Sequence, residues 1–339
     1  MAPLDFSNLS ALVTGGGGFM GGAIVQQLLD SGARVRSFSR GHYPQLDRLG
    51  VDQVQGDLVD PEAVRSAVRG MDLIFHVAAK PGVWGSYADF FRPNVTGTEN
   101  VIQACRAETV RHLVYTSSAS VVFGGCDMKG VDESVPYPDH WEAHYTRTKA
   151  LGEQMVRQAG NQDLQTIVLR PHLIWGPGDN HLVPRIIQRA RRLRRVGPGN
   201  NRVDTIYIDN AAHAHLLAAV QLMARPALSG RVYFISQDEP IALWDMVDAI
   251  LAAADLPPVR RSISAAGAMR IGTLMEWFYR ILHLPGEPPM TRFVAQELAT
   301  AHWFDIRAAK TDLGYRPLVS TPEGLRRLRV WLQTEGHRR

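Results

Sequence analysis

Three residue types in this chain are placed where they could move a proton alongside a hydride. Tyr145 and Lys149 lie four apart in "HYTRTKALGE", a helical stretch, so their side chains share one face. A free phenol titrates near ~10 and is a poor proton shuttle at neutral pH. A neighbouring ammonium stabilises the phenolate, and bringing the phenol to ~7 takes about 4 kcal/mol of differential interaction. The chain has only four lysines, at 80, 129, 149 and 310, against thirty-three arginines, so a lysine at this spacing is informative. "YTSSAS", Tyr115 to Ser120, ends an apolar run; Ser118 is the expected partner of a substrate oxygen, with Ser117 the near alternative.

These groups need a frame that brings them to one edge. The first half alternates short apolar runs with helical patterns, which predicts a parallel sheet with helices on both faces. The expected strands are "SALVTG", "ARVRSFS", "VDQVQGD", "DLIFHVAA", "RHLVYTSS" and "LQTIVLRP", with helices after Gly18, after Asp60-Pro61, and near 87–107 and 143–159. Ligands of such α/β folds bind outside the carboxyl ends of the strands. The expected fold class is therefore α/β, a Rossmann-type doubly wound sheet with a smaller C-terminal α/β domain. A dinucleotide-binding domain is expected over 1–175, with 203–236 returning to it through "TIYIDN" and "RVYFIS", and 176–339 mainly a substrate domain.

The glycine run "TGGGGFMGG" leaves the first strand and opens a helix, so Gly15, Gly18 and Gly21, with Phe19 and Met20, are candidates to cradle a pyrophosphate. About twenty residues on, an acid would normally grip a ribose hydroxyl, but here Ser39-Arg40 stands at the end of the second strand. Ser39 removes the repulsion of a 2′-phosphate and Arg40 can fork onto it, which predicts NADP(H) over NAD(H), with NAD(H) still accepted. Asp57 in "QGDL" is placed to accept a bond from the adenine amino group, or simply to cap its turn.

Composition narrows the rest. The apolar fraction is 45% and the charged fraction 21%, ordinary for a globular protein. No apolar run is long enough to span a bilayer, the start lacks the pattern of a signal peptide, and two cysteines imply no disulfide framework, so a cytoplasmic home is expected. The net charge of +4 is concentrated in Arg185–Arg195 and the terminal "HRR". No aromatic residues interleave with these arginines, so a solvated helix face is expected rather than a nucleic-acid site. No metal site is expected: His213 and His215 point apart on a helix, and no carboxylate or cysteine cluster completes His140 and His144.

Taken together, "TGGGGFMGG", "GDL", "HVAA", "NVTGT", "YTSSAS", "YTRTK", "LRP", "YIDNAA" and "KTDLGYRPLVSTPEGL" resemble, in order, the extended short-chain dehydrogenase/reductases over nearly the whole chain. Within them the chain is similar to the 3β-hydroxysteroid dehydrogenase-like branch. Stretches such as "HYPQL", "WGSY", "LIWGPGD" and "LPGEPPMTRF" resemble the NADPH-dependent ketoreductases of bacterial olefin biosynthesis, which reduce 2-alkyl-3-keto acids. Sterol-4-carboxylate 3-dehydrogenases are the next resemblance, although they usually carry an acid where Ser39 stands. The resemblance implies Tyr145 as proton donor, Lys149 as its activator and Ser118 as the carbonyl-oxygen partner. It implies Leu58, Ala78, Ala79 and Pro171 beside the cofactor, Asn94 steadying the lysine through water or packing its helix, and a homodimer through 87–107 and 143–159.

Three stretches are expected to wall a substrate pocket. Lys80, Trp84, Ser86 and Tyr87 follow the fourth strand, and Lys80 is a candidate anchor for a substrate carboxylate. His172 and Trp175 follow the sixth strand, with a packed core histidine as the plainer reading of His172. In "IGTLMEWFYRILHL", Glu276 and Arg280 mark a narrow polar stripe, and Ile271, Leu274, Met275, Phe278, Ile281 and Leu282 a broad apolar face. That segment reads as a core helix, a lid over a greasy chain, or a contact with a membrane surface or partner enzyme. The expected function is NADPH-dependent reduction of a hydrophobic β-keto acid. Its rivals are an oxidative sterol dehydrogenase and a redox-sensing nucleotide-binding protein without catalysis, with a nucleotide-sugar epimerase behind them.

Overall fold

A computed structural model describes residues 4–334, so the terminal "HRR" lies outside the described residues. Strand β1 (Ser10–Thr14) runs into helix α1 (Phe19–Asp30), which Gly32 closes at φ +83°. Strand β2 (Arg34–Ser39), a short helix α2 (Pro44–Arg48) and strand β3 (Asp52–Gln55) follow. Asp60 then caps α3 (Pro61–Val68), its carboxylate accepting from the amides of Glu62 and Ala63. Next come β4 (Leu73–His76), α4 (Tyr87–Phe91), a π-helical turn at Arg92–Thr96, α5 (Gly97–Ala107), β5 (His112–Thr116), β6 (Met128–Val131), α6 (His144–Ala159) and β7 (Gln165–Pro171).

Seven strands form the main sheet, in the order Arg231–Ile235, β7, β5, β4, β1, β2, β3, and every pair is parallel. Chain order reverses between β1 and β4, which opens the crevice at their carboxyl ends where α/β ligands bind. "RVYFIS" takes the sheet edge beside β7, returning to the main sheet. "TIYIDN" does not reach the sheet: Ile206–Tyr207 pairs with Ile174–Trp175 in a separate two-stranded ladder. A four-stranded mixed sheet in the order Ile241–Ala242, Arg202–Val203, His302–Phe304, β6 stands over the same edge. One apolar cluster runs through both regions, from Val13 and Ile24 to Trp244 and Phe293.

Candidate active site

Helix α6 carries Tyr145, Lys149 and Glu153 at successive turns, so all three face the end of β5. A Cβ on Gly152 would stand 2.7 Å from the Asn94 carbonyl oxygen and 2.7 Å from the Tyr115 hydroxyl. Only glycine lets α6 close to this distance. Lys149 is then 1% exposed, and its Nζ donates to the Tyr115 hydroxyl and to the Thr116 carbonyl oxygen, each at 2.7 Å. Burial pulls its ammonium down to about 7, and the Glu153 carboxylate opposes that pull.

Tyr145 departs from the expectation. Its phenol is pushed up to about 12 by burial, with the Ser118 hydroxyl bond acting the other way and the Glu297 charge adding to the rise. Lys149 is spent on Tyr115 and Thr116 and does not lower it here. At neutral pH Tyr145 holds its proton.

The two serines separate cleanly. Ser117 is buried and its Oγ donates to Glu153 Oε2 at 2.5 Å, away from the crevice. Ser118 stays partly accessible, shares a 2.8 Å bond with Ser120 and reaches Tyr145. Ser118 is therefore the group available to an incoming oxygen. Glu153, which sequence reasoning missed, is the hub beneath them. Fully buried, it accepts from Ser117, from the Tyr137 hydroxyl at 2.6 Å and from Arg170 Nη2 at 2.5 Å. The periodic spacing 145-149-153 was its only signal.

Asn94 sits in the π-turn, a distortion often found at functional sites. Its Oδ1 accepts from the Lys80 amide at 2.7 Å, and its Nδ2 donates to the Lys80 carbonyl and to Thr148. It pins the loop after β4 instead of packing passively. His76, also unnoticed in the sequence, joins this network. Thr14 Oγ1 already accepts the amides of Val77 and Ala78, so its hydroxyl donates to His76 Nδ1 and leaves Nε2–H for Thr98. Burial, followed by the Lys149 charge, holds this imidazole down at about 3, so it stays neutral.

The other side of the crevice fits a dinucleotide. Gly15 has φ +72°, and a Cβ on Gly21 would stand 2.1 Å from the Gly15 carbonyl oxygen, so the loop stays flat against the helix start. Gly18 begins α1 with no side-chain cap, which leaves its first amides free for a phosphate. Phe19 is half-buried and Met20 buried behind the loop. Ser39 has a buried hydroxyl with no hydrogen-bond partner. Beside it, Arg36 and His42 pair with Asp52 and Asp47, while Arg40 is exposed and pairs with no acid among the described residues. Asp57 is exposed and its Oδ1 takes the Val59 amide at 3.2 Å, and Leu58 is buried behind it. Ala78 and Ala79 are half-buried beyond β4, and Pro171 is buried at the end of β7.

The substrate walls need correction. Trp175 is fully buried, donates to Thr205 Oγ1 and packs on Tyr207, so it is core. His172 is buried too, with its Nε2 2.6 Å from His302 Nδ1. His302 Nε2 donates to the Glu297 carbonyl, which leaves its Nδ1 to accept from His172. The plain reading of His172 holds. Lys80, Trp84 and Tyr87 lie in the loop after β4 and at the start of α4. Lys80 Nζ is 3.9 Å from Asp89, Trp84 meets Tyr279 edge-on, and Tyr87 meets His144. The core reading of the apolar helix fails. In Ala265–Ile281 it is Glu276 that is buried, taking the Arg292 amide at 2.7 Å, while the apolar stripe faces outward.

One further group reaches the site from the C-terminal region. The helix Arg292–Ala299 lies across the stretch after Ser118: Phe293 packs edge-on against Phe123, and Arg292 reaches Glu142 just before α6. Its Glu297 carboxyl is pushed up to about 7 by burial, and its charge is felt at Tyr145. No local motif marked it.

A doubly wound sheet with a glycine-rich βα turn and a Ser-Tyr-Lys constellation at its switch edge defines a nucleotide-linked oxidoreductase of the extended short-chain type. Residues 12–263 match the 3-beta hydroxysteroid dehydrogenase/isomerase family, and the chain belongs to that family. It is 50% identical to a 2-alkyl-3-oxoalkanoate reductase of Stenotrophomonas maltophilia, over 95% of this chain and 99% of the relative. It is 34% identical to a decarboxylating sterol-4-alpha-carboxylate 3-dehydrogenase of Mus musculus, over 93% of this chain and 88% of the relative. Its fold is also that of a UDP-glucuronic acid 4-epimerase from Bacillus cereus in complex with NAD, at a TM-score of 0.72 and 22% identity over 96% and 99% of the two chains.

Proposed function

We propose that this protein reduces the ketone of a hydrophobic 2-alkyl-3-oxo acid to the hydroxy acid, using NADPH. The observation that carries the reading is the pairing of Ser118 and a fully protonated Tyr145 at the switch edge with an acid-free Ser39-Arg40 at the adenosine end. Bound NADPH supplies the hydride to the carbonyl carbon. Ser118 and Tyr145 hold the ketone oxygen, and Tyr145 gives it a proton as the C=O becomes CH–OH. Pushed up to about 12, the Tyr145 phenol carries its proton at neutral pH, so the proton to be given is in place before the ketone arrives. Lys149 lies one turn along α6 with its Nζ on the Tyr115 hydroxyl and the Thr116 carbonyl, so in this reading it turns from them to support the developing phenolate.

In this reading Lys80 anchors the acid's carboxylate: its one acidic partner among the described residues, Asp89, is exposed and 3.9 Å away, which leaves the charge available. Lys80→Ala is expected to raise KM for a keto acid several-fold and leave kcat nearly unchanged; an unchanged KM removes this role. An oxidative sterol reading is disfavoured by Ser39 and Arg40. Fluorescence titration with NADPH and NADH tests the direction. NADPH should bind at least tenfold tighter, about 1.4 kcal/mol, and Arg40→Ala should erase the gap. Equal or tighter NADH binding overturns the reading.

A further inference from the structure

Seven of the ten exposed large apolar side chains in the described residues fall between 271 and 284, on the helix Ala265–Ile281 and the turn after it. Leu274, Trp277, Ile281 and Leu282 are each more than half exposed. Contiguous apolar surface of this kind marks an interaction site. The stretch 265–286 has a single acid, Glu276, and that acid is buried against Arg292. Its exposed charges are therefore all cationic.

The neighbouring chain adds more of the same sign. Arg185 bonds to Glu287 at 2.7 Å and Arg189 to the Pro289 carbonyl at 3.0 Å, which ties the arginine-rich segment to the turn after the apolar helix. Beyond them Arg191, Arg192 and Arg194 are exposed and pair with no acid among the described residues. On its inner side the helix reaches the crevice, because Tyr279 and Arg280 pack on Trp84 in the loop after β4.

We propose that the helix Ala265–Ile281, with the turn after it and Arg191, Arg192 and Arg194, docks on an anionic lipid surface. Apolar side chains enter the headgroup boundary and the arginines meet lipid phosphates, the arrangement of an interfacial amphipathic helix. No helix of the described residues is long and apolar enough to cross a membrane, so the contact lies along the surface. The charge selects this occupant. A second copy would bring the same cations against themselves, and a neutral apolar partner would leave the arginines unused.

Co-sedimentation with vesicles tests this without any activity measurement. The full chain is spun with phosphatidylcholine vesicles, with and without one-third phosphatidylglycerol, at low and high salt. Binding is expected to the anionic vesicles only and to weaken at high salt. Leu274→Ser/Ile281→Ser, and separately Arg191→Glu/Arg192→Glu/Arg194→Glu, should each weaken it at least tenfold, with melting temperatures unchanged. Absence of binding to anionic vesicles overturns the proposal, as does binding that neither variant weakens. A parent dimer that the Leu274→Ser/Ile281→Ser variant converts to monomer also overturns it, in favour of a second copy on this face.

Discussion

Replacing Glu153 by Gln should damage stability and catalysis together. The carboxylate is fully buried and bonded to Arg170, itself 2% exposed, whose Nη1 already lacks a partner. Glu153→Gln leaves a buried guanidinium without its counter-charge, a loss of about 3–5 kcal/mol. Unfolding entropy near 2.1 cal/mol/K per residue gives about 0.7 kcal/mol/K for a chain of this length, so melting should fall by about 4–7 °C. The catalytic effect has a definite sign. Burial lowers Lys149 to about 7 and Glu153 opposes it, so without Glu153 the lysine loses its proton at lower pH. The alkaline limb of the kcat profile should then move to lower pH. Calorimetry and a pH–rate series read the two effects, and Glu153→Gln/Arg170→Met should recover much of the stability but not the pH profile. A single variant that melts within 1 °C of the parent, with an unmoved alkaline limb, refutes the reasoning.

Two other pH effects follow from buried groups. Glu297 titrates at about 7 beside Tyr145, so above that pH its charge opposes an anionic substrate. KM for a keto acid should rise from pH 6 to 8 in the parent and rise less in Glu297→Gln, where only the loss of the Lys149 charge remains, as steady-state kinetics would show. His76 and His215 are held by burial at about 3 and about 4, and His172 well below its ordinary value. Below about 6.5 the unfolded chain binds more protons at these imidazoles than the folded one, so their stability is present above that pH and lost on acidification. Between pH 6.5 and 5 the three lose about 5 kcal/mol, and Glu297 together with Asp204, which burial pushes up to about 6, are protonated more readily when folded and return about 3. The melting temperature should drop by roughly 3 °C over that range; a flat profile would contradict the neutral, buried imidazoles.

The sheet was legible in the sequence because each buried parallel strand is a short apolar run bounded by turn residues, and the glycine loop follows the first of them. The placing of Ser118 near Tyr145 was legible because the strand end that carries Ser118 is fixed by the sheet. What escaped depends on distant partners. Lys149 was expected on the catalytic phenol, yet its bonds go to Tyr115, thirty-four positions earlier. Glu276 reads as solvent-facing in an otherwise apolar helix; the Arg292 amide that buries it lies sixteen residues on. Trp175 stands at a strand end, where pocket walls are common, but the ladder with Ile206–Tyr207 seals it inside. Glu297 enters the site through helix packing alone.

In the proposed reaction a ketone is reduced and Tyr145 is the proton donor. The direct measurement is NADPH consumption by the purified protein with a 2-alkyl-3-oxo acid, with product analysis, beside Tyr145→Phe and a sterol 4-carboxylate with NAD. Stoichiometric formation of the hydroxy acid, reduced at least a hundredfold by Tyr145→Phe, with no turnover of the sterol, is the predicted result. Faster oxidation of the sterol, or a Tyr145→Phe variant as active as the parent, would contradict it.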